Sequence, residues 1–377
     1  MIKKVLLVAT LQSHIAQFHQ PLIELLKQHK IEVHVAARDN LREKNGLAIK
    51  NVDEIHDVPF SRSPLTISNL KAFKILRRLI DIHRFDIVHC NTPVGSVITR
   101  LICLKYRRNG LKVFYTAHGF HFYKGAPYLN WIIYFPIEKI LSKITDKIIV
   151  INREDYYASK LKLNVQKVYR INGVGVDHNK FCIEKNNKTA KIRQQLSISK
   201  RTPLGICIGE LLRNKNQEQL IRAVSLFKNN KLQIKILICG NGKYEDYLVS
   251  LSSRLGVSQY FEFLGYRTDI ADIIQECDFG CSMSIREGLG LNIIEECLCG
   301  KPVLCTRNRG HSELVSYING YLVDIGDIES TAYYLLKLSS EKDRLQFNPE
   351  KIRNSVMNYS KSAVLNQLAE IYDLSKT

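Results

Sequence analysis

The stretch that decides the fold reads Ser284-Ile-Arg-Glu287-Gly-Leu-Gly-Leu-Asn-Ile-Ile-Glu295. It follows a short hydrophobic run, so the pattern predicts a strand, a turn and then a helix. Glu287 is expected at the turn, and Glu295 two turns into the helix. Gly288 and Gly290 would let backbone N–H groups approach an anion at the helix N-terminus. The stretch therefore indicates a sugar nucleotide, with its diphosphate on the amides and its hydroxyls on the acids, although paired acids are also common on solvated helix faces.

Apolar runs alternate with amphipathic helical patterns along the whole chain. The predicted strands are residues 4–10, 31–37, 86–90, 112–117, 147–151, 204–209, 234–240, 261–264, 278–283 and 302–306. Because continuous Val, Ile and Leu strands that alternate with helices form parallel sheets covered on both faces, the fold class is α/β. We expect two doubly wound, Rossmann-like domains that face a central cleft, with ligands at the carboxyl ends of the strands.

Length and composition support two domains. The chain has 377 residues, of which 45% are hydrophobic, more than one core usually serves. The expected domains are residues 1–178, for an acceptor, and 179–357, for a nucleotide sugar, with the polar stretch 179–191 as the linker. A helix at about residues 358–377 is expected to pack back on the first domain. Ten cysteines without an export signal indicate reduced thiols, and hence a cytoplasmic protein.

The positive charge is concentrated in the first half. The net charge is +19, and residues 1–170 carry 28 Lys and Arg against 13 Asp and Glu, a net +15. The segment 70–80 predicts an amphipathic helix with Lys71, Lys74 and Arg78 on one arc and Ile75 among the apolar residues opposite. This pattern fits an anionic membrane surface, but also any surface helix packed on a sheet. Nucleic acid is the other anionic partner, and none of its usual recognition motifs occurs.

Two further loops of the second half are candidates for donor binding. The first is Gly209-Glu-Leu-Leu-Arg213-Asn-Lys215, in which two cations follow a predicted strand and open a helix over residues 217–227. A glycine turn with cations at a helix start suits a diphosphate. In the second loop, Tyr266 or Arg267 could contact a nucleobase. Polar turns of either kind are also often simply solvated.

Two histidines of the first half follow a predicted strand. His118 and His121 lie in a glycine-containing loop at the carboxyl end of strand 112–117, where doubly wound domains keep their sites. Ser13 and His14, just past the first strand, predict another loop at the cleft. Lys124 lies beside an aromatic string made of Phe120, Phe122, Tyr123, Tyr128, Trp131, Tyr134 and Phe135. The string indicates either core packing of the next helix or an aromatic and basic rim for a sugar or lipid acceptor.

Together these segments closely resemble glycosyltransferase family 4, whose retaining enzymes have the GT-B fold. The most specific part is Glu287-Gly-Leu-Gly-Leu-Asn-Ile-Ile-Glu295-Glu-Cys-Leu-Cys-Gly300-Lys-Pro302-Val, which looks like the family's E-x7-E segment and the region after it. The loop Ala117-His-Gly-Phe-His-Phe-Tyr-Lys-Gly-Ala-Pro127, with Asn308-Arg-Gly-His-Ser-Glu313, resembles the branch that builds bacterial capsular and exopolysaccharide repeat units.

The resemblance implies a role for each matching residue. Glu287 would contact hydroxyls of the donor sugar, Glu295 the ribose hydroxyls, Lys215 a phosphate, and His118 the transferred sugar. The backbone amides near the diphosphate would come from Gly288, Leu289, Gly290 and Leu291. The family's arginine after Gly209 is replaced by Glu210, so Arg213 is the candidate substitute. The family's Gly-Gly loop after the first strand is replaced by Leu11-Gln-Ser-His14.

The implied reaction moves a hexosyl group from a nucleotide sugar to a saccharide acceptor, expected to be lipid-linked, with retention. UDP is the nucleotide that the resemblance favours. The chain has no Asp-x-Asp motif, which disfavours a metal-dependent GT-A enzyme, so neither a metal nor a cofactor is expected. The expected location is the cytoplasm, peripheral on the inner face of the membrane. The alternatives are a nucleotide-sugar epimerase of the same fold, which needs no acceptor, and a basic nucleic-acid-binding protein.

Overall fold

The computed structural model describes residues 2–43, 47–63, 66–183, 191–227 and 234–374. The chain divides into two compact units. One contains the residues up to Gly175 and those from Lys361 onward, and the other runs from Val176 to Ser360. Part of the predicted linker, residues 184–190, lies outside the described residues, and so do the last three residues of the predicted carboxyl-terminal helix.

The first unit contains a parallel sheet of seven strands among the described residues, in the order β3-β2-β1-β4-β5-β6-β7. The strands are β1 Lys4–Leu11, β2 Glu32–Arg38, β3 Glu54–Asp57, β4 Ile87–Asn91, β5 Lys112–Ala117, β6 Lys147–Val150 and β7 Lys167–Arg170. The helices are α1 Gln12–Phe18, α2 Gln20–Gln28, α3 Ile67–His83, α4 Pro93–Cys103, α5 Tyr128–Ser142 and α6 Arg153–Lys162. The strand order reverses direction between β1 and β4, and ligands of doubly wound sheets bind outside the carboxyl ends of strands at such a point.

The second unit repeats this plan with six parallel strands among its described residues, in the order β10-β9-β8-β11-β12-β13. The strands are β8 Leu204–Ile208, β9 Lys235–Cys239, β10 Phe261–Gly265, β11 Phe279–Ser282, β12 Val303–Thr306 and β13 Gly320–Val323. The helices are α7 Lys191–Gln195, α8 Gln217–Ser225, α9 Glu245–Arg254, α10 Ile270–Glu276, α11 Leu291–Leu298, α12 His311–Leu314, α13 Ile328–Ser339, α14 Glu341–Arg344 and α15 Pro349–Ser355. Here the reversal lies between β8 and β11.

The last helix, α16 Lys361–Ile371, returns to the first unit. Lys361 forms a 2.7 Å ion pair with Glu24 of α2. The fully buried Tyr372 places its hydroxyl 2.6 Å from Nδ1 of His89 in the middle of the sheet. The carboxyl-terminal segment is therefore part of the core of the first unit.

Three strands have no counterpart in the sequence prediction, and all three lie at a sheet edge: β3, β7 and β13. Edge strands tend to be short and charged because an apolar edge would recruit other chains. The strand Glu54-Ile-His-Asp57 has no apolar run to reveal it, and most of its side chains are exposed. The ten predicted strands all exist, and no bound differs from the predicted one by more than one residue.

The helix α3 corrects one detail of the predicted amphipathic pattern. Lys71, Lys74 and Arg78 are exposed as expected, and Ala72, Leu76, Leu79 and Ile80 are buried. Ile75, which the helical wheel put on the apolar side, is 41% exposed. The face that contacts the sheet is thus narrower than the apolar arc of the sequence.

All ten cysteines are free thiols, and nine of them are buried. The exception is Cys182, which is half-buried. Burial raises the pKa of most of the buried thiols, for example to about 12 for Cys207. These cysteines therefore act as small apolar packing residues, as the lack of a second ligand pair near Cys297 and Cys299 predicts.

Candidate active site

The centre of the candidate site in the second unit is an ion pair between Lys215 Nζ and Glu287 Oε1. Lys215 ends a 3-10 turn, Arg213–Lys215, in the connection between β8 and α8. Glu287 lies in the loop that follows β11, and β8 and β11 are the two strands between which the sheet order reverses. The predicted lysine and the predicted acid thus meet at the point where a doubly wound sheet binds its ligand.

The loops that carry this pair are linked to each other. Asn214 donates from Nδ2 to the backbone oxygen of Arg286 at 2.9 Å and accepts from the backbone N–H of Ile285 at 2.8 Å. Ser284 donates from Oγ to Glu287 Oε1 at 2.8 Å. The carboxylate is therefore fixed from two sides, and its side chain is only 16% exposed.

The Gly-x-Gly turn leads into α11 as predicted. Gly290, the N-cap, has a φ of 103°, a left-handed conformation that strains any residue with a side chain. Gly288 lies in the bend beside Glu287, Leu289 is buried, and Leu291 begins the helix. The first amides of a helix have no intrahelical acceptor, so the amides at this end are available to an anion.

Asn292, in the first turn of α11, was missed by the sequence reasoning. Its Nδ2 is buried and has no hydrogen-bond partner among the described residues. A buried amide donor without an acceptor costs free energy, which a bound ligand could recover. Its place inside the E-x7-E stretch was the only signal that could have found it.

Glu295 and Glu296 are adjacent in α11 but face different surroundings. Burial raises the pKa of Glu295 to about 7. Glu296 is fully buried, both of its carboxyl oxygens are unpaired, and burial raises its pKa well above the ordinary value. Glu296 is therefore a neutral acid packed inside the unit. Glu295, by contrast, can accept hydrogen bonds from hydroxyl groups near neutral pH.

His311 is a second residue that the sequence reasoning did not place at the site. It begins α12, the short helix His311–Leu314. Burial lowers its pKa to about 4, and its Nδ1 lies 2.8 Å from the backbone oxygen of Thr306. The charges of Glu287 and Lys215 both act on the pKa of His311, so its ring lies close to that ion pair. A neutral imidazole therefore lines this part of the site.

The remaining residues predicted to bind the donor lie in separate loops of the second unit. Gly209 follows β8, and the Lys215 side chain packs 3.6 Å from where a Cβ of Gly209 would be. Arg213 is exposed on the same turn. Tyr266, after β10, is 64% exposed. Arg267 donates from Nε to Asp269 Oδ1 at 2.8 Å, so Asp269, the N-cap residue of α10, binds this guanidinium and does not cap the helix with its side chain.

In the first unit, the prediction of a loop at Ser13 and His14 is wrong. β1 passes directly into α1, and both residues lie in the first turn of that helix. Ser13 Oγ accepts a 2.9 Å hydrogen bond from Asn40, in the segment after β2. The strand ends at Leu11 and the helix begins at Gln12, so no loop separates them.

The first unit instead gathers three histidines. His118, just after β5, has its ring 4.7 Å from that of His14 and 5.4 Å from that of His19. The Nε2 atoms of all three are buried without a hydrogen-bond partner among the described residues. Burial lowers the pKa of His118 to about 4 and that of the other two well below the ordinary value. The cluster is therefore neutral at pH 7 and offers unused ring nitrogens to a ligand.

His121 and Lys124 lie farther along the same loop. The His121 ring stacks on Tyr134 of α5 at 4.5 Å, and Lys124 is exposed. The core-packing interpretation of the aromatic string holds for four of its rings, and the acceptor rim stays a prediction. The rings of Phe120, Phe122, Trp131 and Phe135 pack with the core, whereas Tyr128 is 80% exposed.

Two groups of side chains in the described part of the chain could hold a metal ion. One is the cluster of His14, His19 and His118, and the other joins His34, Glu54, His56 and His83. In each group the potential ligand atoms lie within 4.8 Å of one another. The first group overlaps the candidate site, and the second does not.

Comparison with known proteins identifies the family. The model for "Glycosyl transferases group 1" matches residues 188–356, and that for "Glycosyl transferase 4-like" matches residues 4–152. A Bacillus subtilis protein named "Putative glycosyltransferase EpsD" is 37% identical over 374 residues, which are 99% of this chain and 97% of that protein. The chain belongs to the group 1 glycosyltransferases. The membership that the sequence motifs predicted is thereby confirmed.

An Escherichia coli enzyme and a solved structure are also similar to this chain. An Escherichia coli enzyme named UDP-Gal:alpha-D-GlcNAc-diphosphoundecaprenol alpha-1,3-galactosyltransferase is 25% identical over 78% of this chain and 76% of its own. The crystal structure of Anabaena HepE, solved with UDP and glucose, superposes with a TM-score of 0.80 at 19% identity and covers 98% of this chain and 99% of HepE. The fold of this glycosyltransferase is therefore GT-B, as predicted.

Proposed function

We propose that this glycosyltransferase moves a hexosyl group from a UDP-sugar to a lipid-linked saccharide, with retention of the anomeric configuration and without a metal. The reaction belongs to the assembly of a capsular or extracellular polysaccharide. The observation that carries the proposal is the Lys215–Glu287 pair beside the first amides of α11. The Escherichia coli relative, whose name specifies a UDP-sugar donor and a diphosphoundecaprenol-linked acceptor, supports both substrate classes.

The ion pair fits a sugar diphosphate. Negative charge grows on the leaving phosphate in the transition state while the anomeric carbon becomes positive. Lys215 and the amides of residues 289–291 would stabilise that phosphate, and Glu287 would accept from sugar hydroxyls. Preorganised donors of this kind are usually the largest single contribution to catalysis. Glu295 would hold the ribose hydroxyls.

The neutral histidines of the first unit suit the uncharged part of the reactants. His118 would contact the transferred sugar, and a neutral imidazole can donate to or accept from a hydroxyl. The acceptor hydroxyl would attack the face that the nucleoside diphosphate leaves. Its proton would pass to a phosphate oxygen of the leaving group as the new C–O bond forms. This route accounts for retention without a nucleophilic carboxylate.

The first unit also presents a surface that fits a membrane. Six apolar side chains of α5 are between 38% and 80% exposed: Tyr128, Leu129, Ile132, Ile133, Ile137 and Ile140. Lys124, Lys139 and Lys143 are exposed beside them. A continuous apolar helix face edged by cations is typical of helices that lie in an anionic bilayer surface. None of the helices built from the described residues has the length and hydropathy that crossing a membrane requires.

The opposite side of α5 explains why its apolar face stays outside. Glu138 forms a bidentate ion pair with the fully buried Arg100 of α4, at 2.8 and 3.0 Å. The Arg100 guanidinium also lies 4.2 Å from the centre of the Tyr115 ring. A buried pair of this kind fixes the rotation of the helix, since rotating α5 about its axis would leave a charge unpaired.

The donor proposal is tested by thermal stabilisation with a panel of nucleotide sugars and the matching nucleotides. A UDP-sugar should raise the melting temperature more than the corresponding GDP-sugar, because a bound ligand stabilises the folded state by mass action. Incubation of the preferred donor alone then distinguishes an epimerase, which would release the epimer without an acceptor. Stabilisation by GDP-sugars only would reject the UDP assignment, and epimer formation would reject transfer.

The membrane proposal is tested by sedimentation with vesicles that contain phosphatidylglycerol. Binding at low salt should fall steeply as salt screens the lysines, and Ile132→Ser with Ile133→Ser should weaken it about tenfold through lost apolar contact. Leu345→Ser, at a position 77% exposed in the second unit, is the matched control and should bind like the parent. Salt-independent binding, no binding at low salt, or equal binding by the α5 variant would reject docking through this face.

A further inference from the structure

A second cluster of imidazoles lies in the first unit, away from the candidate site. Two neighbouring strands carry the same tripeptide pattern, Glu32-Val-His34 in β2 and Glu54-Ile-His56 in β3. The register pairs His34 with Glu54 and Ala36 with His56. Because side chains alternate between faces with a period of two, both acids and both histidines point to the same side of the sheet.

The end of α3 brings a third imidazole to this face. His83 is the last residue of the helix, and its ring lies 4.7 Å from that of His34 and 5.4 Å from that of His56. His34 Nδ1 lies 3.0 Å from His56 Nε2 and 3.6 Å from a carboxylate oxygen of Glu54. The candidate ligand atoms of all four side chains lie within 4.8 Å of one another.

The surroundings of His34 match those of a metal ligand. Its other ring nitrogen, Nε2, lies 2.7 Å from Glu32 Oε1, and Glu32 is in turn held by Lys4 at 2.8 Å. Histidines that bind metals typically donate their second N–H to a carboxylate, which fixes the tautomer and makes the ligand more basic. Glu32 would therefore leave Nδ1 of His34 deprotonated and pointed at the other three side chains.

We propose that His34, Glu54, His56 and His83 bind a divalent transition-metal ion, with Zn²⁺ as the expected occupant. Three imidazoles and one carboxylate form a complete tetrahedral set of the type that zinc prefers. At metal–ligand bonds of about 2.0–2.1 Å the ligand atoms would stand about 3.4 Å apart, so small side-chain rotations suffice.

Charge favours this cluster over that of His14, His19 and His118. The latter contains no carboxylate, and the charge of Arg62 acts on His14 in a direction that opposes a cation. The proposed site includes Glu54 and lies at the carboxyl end of α3, where the helix dipole favours positive charge. Glu54 is half exposed, which gives an ion a route from solvent.

The proposed ion would have a structural role. β3 is a four-residue edge strand that pairs with β2 alone among the described strands. Coordination would bind the end of α3 to this strand pair, which the His83 ring meets at the rings of His34 and His56. The site lies toward the amino ends of the strands, whereas His14 and His118 lie beyond the carboxyl ends of β1 and β5. Metal at this site is thus separate from the chemistry proposed above.

The test uses the full chain without an affinity tag, freed of metal by chelation, in competition with a chromogenic zinc indicator. The parent should bind one Zn²⁺ in this competition and melt at a higher temperature with it, and Co²⁺ should give the intense visible bands of a tetrahedral site. His56→Ala and Glu54→Gln should lose the tight binding, and Glu32→Gln should weaken it about 10- to 100-fold. The melting temperature of each metal-free variant checks that it is folded.

Two matched controls separate the clusters. His29→Ala removes an exposed histidine of the same unit, and His19→Gln disables the other histidine cluster. Both should bind Zn²⁺ like the parent. The proposal is overturned if the parent retains no Zn²⁺ against the indicator, if folded His56→Ala and Glu54→Gln bind like the parent, or if His19→Gln abolishes binding.

Discussion

The two units share a strand order but differ in the electrostatics of their candidate sites. In the second unit a charged pair, Lys215 and Glu287, lies where the sheet order reverses. In the first unit the corresponding end of the sheet holds His14, His19 and His118, all neutral because burial lowers their pKa values. The same fold can therefore present either a fixed charge or a set of uncharged donors and acceptors, depending on how much water the loops exclude.

Solvent access explains the difference. Lys215 and Glu287 keep 26% and 16% of their side chains exposed and compensate each other at close range. No described residue forms a hydrogen bond with the Nε2 atoms of these histidines, so protonation there would bury an uncompensated cation. We expect changes that remove a charge to impair the charged site, and changes that add a charge to impair the neutral site.

The largest expected effect is at the charged site. Lys215→Ala should lower the turnover of the nucleotide sugar by about 10²–10³-fold, the usual loss of about 3–4 kcal/mol when a strong donor to the leaving group is removed. Glu287→Ala should have a similar effect, because it removes the acceptor for the sugar hydroxyls and the partner of Lys215. Turnover is measured as release of nucleoside diphosphate. Lys243→Ala, which removes an exposed lysine from the turn after β9, is the matched control and should retain parental turnover.

Two outcomes of that experiment are informative. Lys215→Arg keeps the charge but not its shape, so partial turnover would show that charge at this position matters. Near-parental turnover in both alanine variants, with melting temperatures unchanged, would mean that the reaction occurs elsewhere and that the contrast between the units has no functional meaning.

The second prediction concerns acid at the neutral site. An imidazole whose pKa is lowered in the folded protein binds fewer protons in the folded state than in the unfolded state. Its contribution to the free energy of unfolding is therefore complete above pH 6.5 and is lost as the pH falls toward the folded-state pKa. For His118, with a pKa of about 4, the loss approaches 3 kcal/mol, and His89, at about 3, adds to it. Thermal unfolding of the first unit should therefore shift to lower temperature between pH 6.5 and pH 4.5.

The fluorescence of a single tryptophan can report the unfolding of the first unit. Trp131 is the only tryptophan of the chain, and it packs against the core of the first unit. Its fluorescence thus follows the melting of that unit, and a His118→Gln variant should show a shallower pH dependence. A melting temperature that stays constant from pH 6.5 to pH 4.5 would contradict the neutral state of the cluster.

The smallest effect is expected at Glu296 of the second unit. The pKa of its carboxyl is raised in the folded protein. Between the ordinary carboxyl pKa and the folded-state pKa, the folded state retains a proton that the unfolded chain has released. The parent therefore loses stability as the pH rises through this range. Glu296→Gln should therefore gain stability relative to the parent from pH 5 to pH 6. Calorimetric unfolding at the two pH values measures this difference, and a gain that shrinks with pH would mean that the carboxyl is ionised in the folded protein.

The sequence predicts the charged site well because its parts are close together in local patterns. The strand, Gly-x-Gly turn and helix around Glu287 have a fixed geometry, and Lys215 follows the strand that pairs with β11. The fold class and the family were predictable for the same reason. The roles of these residues in donor binding remain predictions.

The neutral site was less predictable because its members come from distant segments. His19 lies about a hundred positions from His118, and no spacing rule connects them. The loop expected at Ser13 and His14 is a helix, because the N-cap of α1 is Leu11, a residue type that does not mark a helix start. The cluster at His34 and His56 depends on β3, a polar edge strand that hydrophobic patterns do not detect.

The distribution of the thiols has a practical consequence. The thiolate is the form that reacts with alkylating reagents, and burial suppresses both its formation and its access. Cys182 is the one thiol of the ten that is not buried. A maleimide dye should therefore label the native chain at a single position, so ligand and vesicle binding can be followed by fluorescence without engineering a cysteine-free variant.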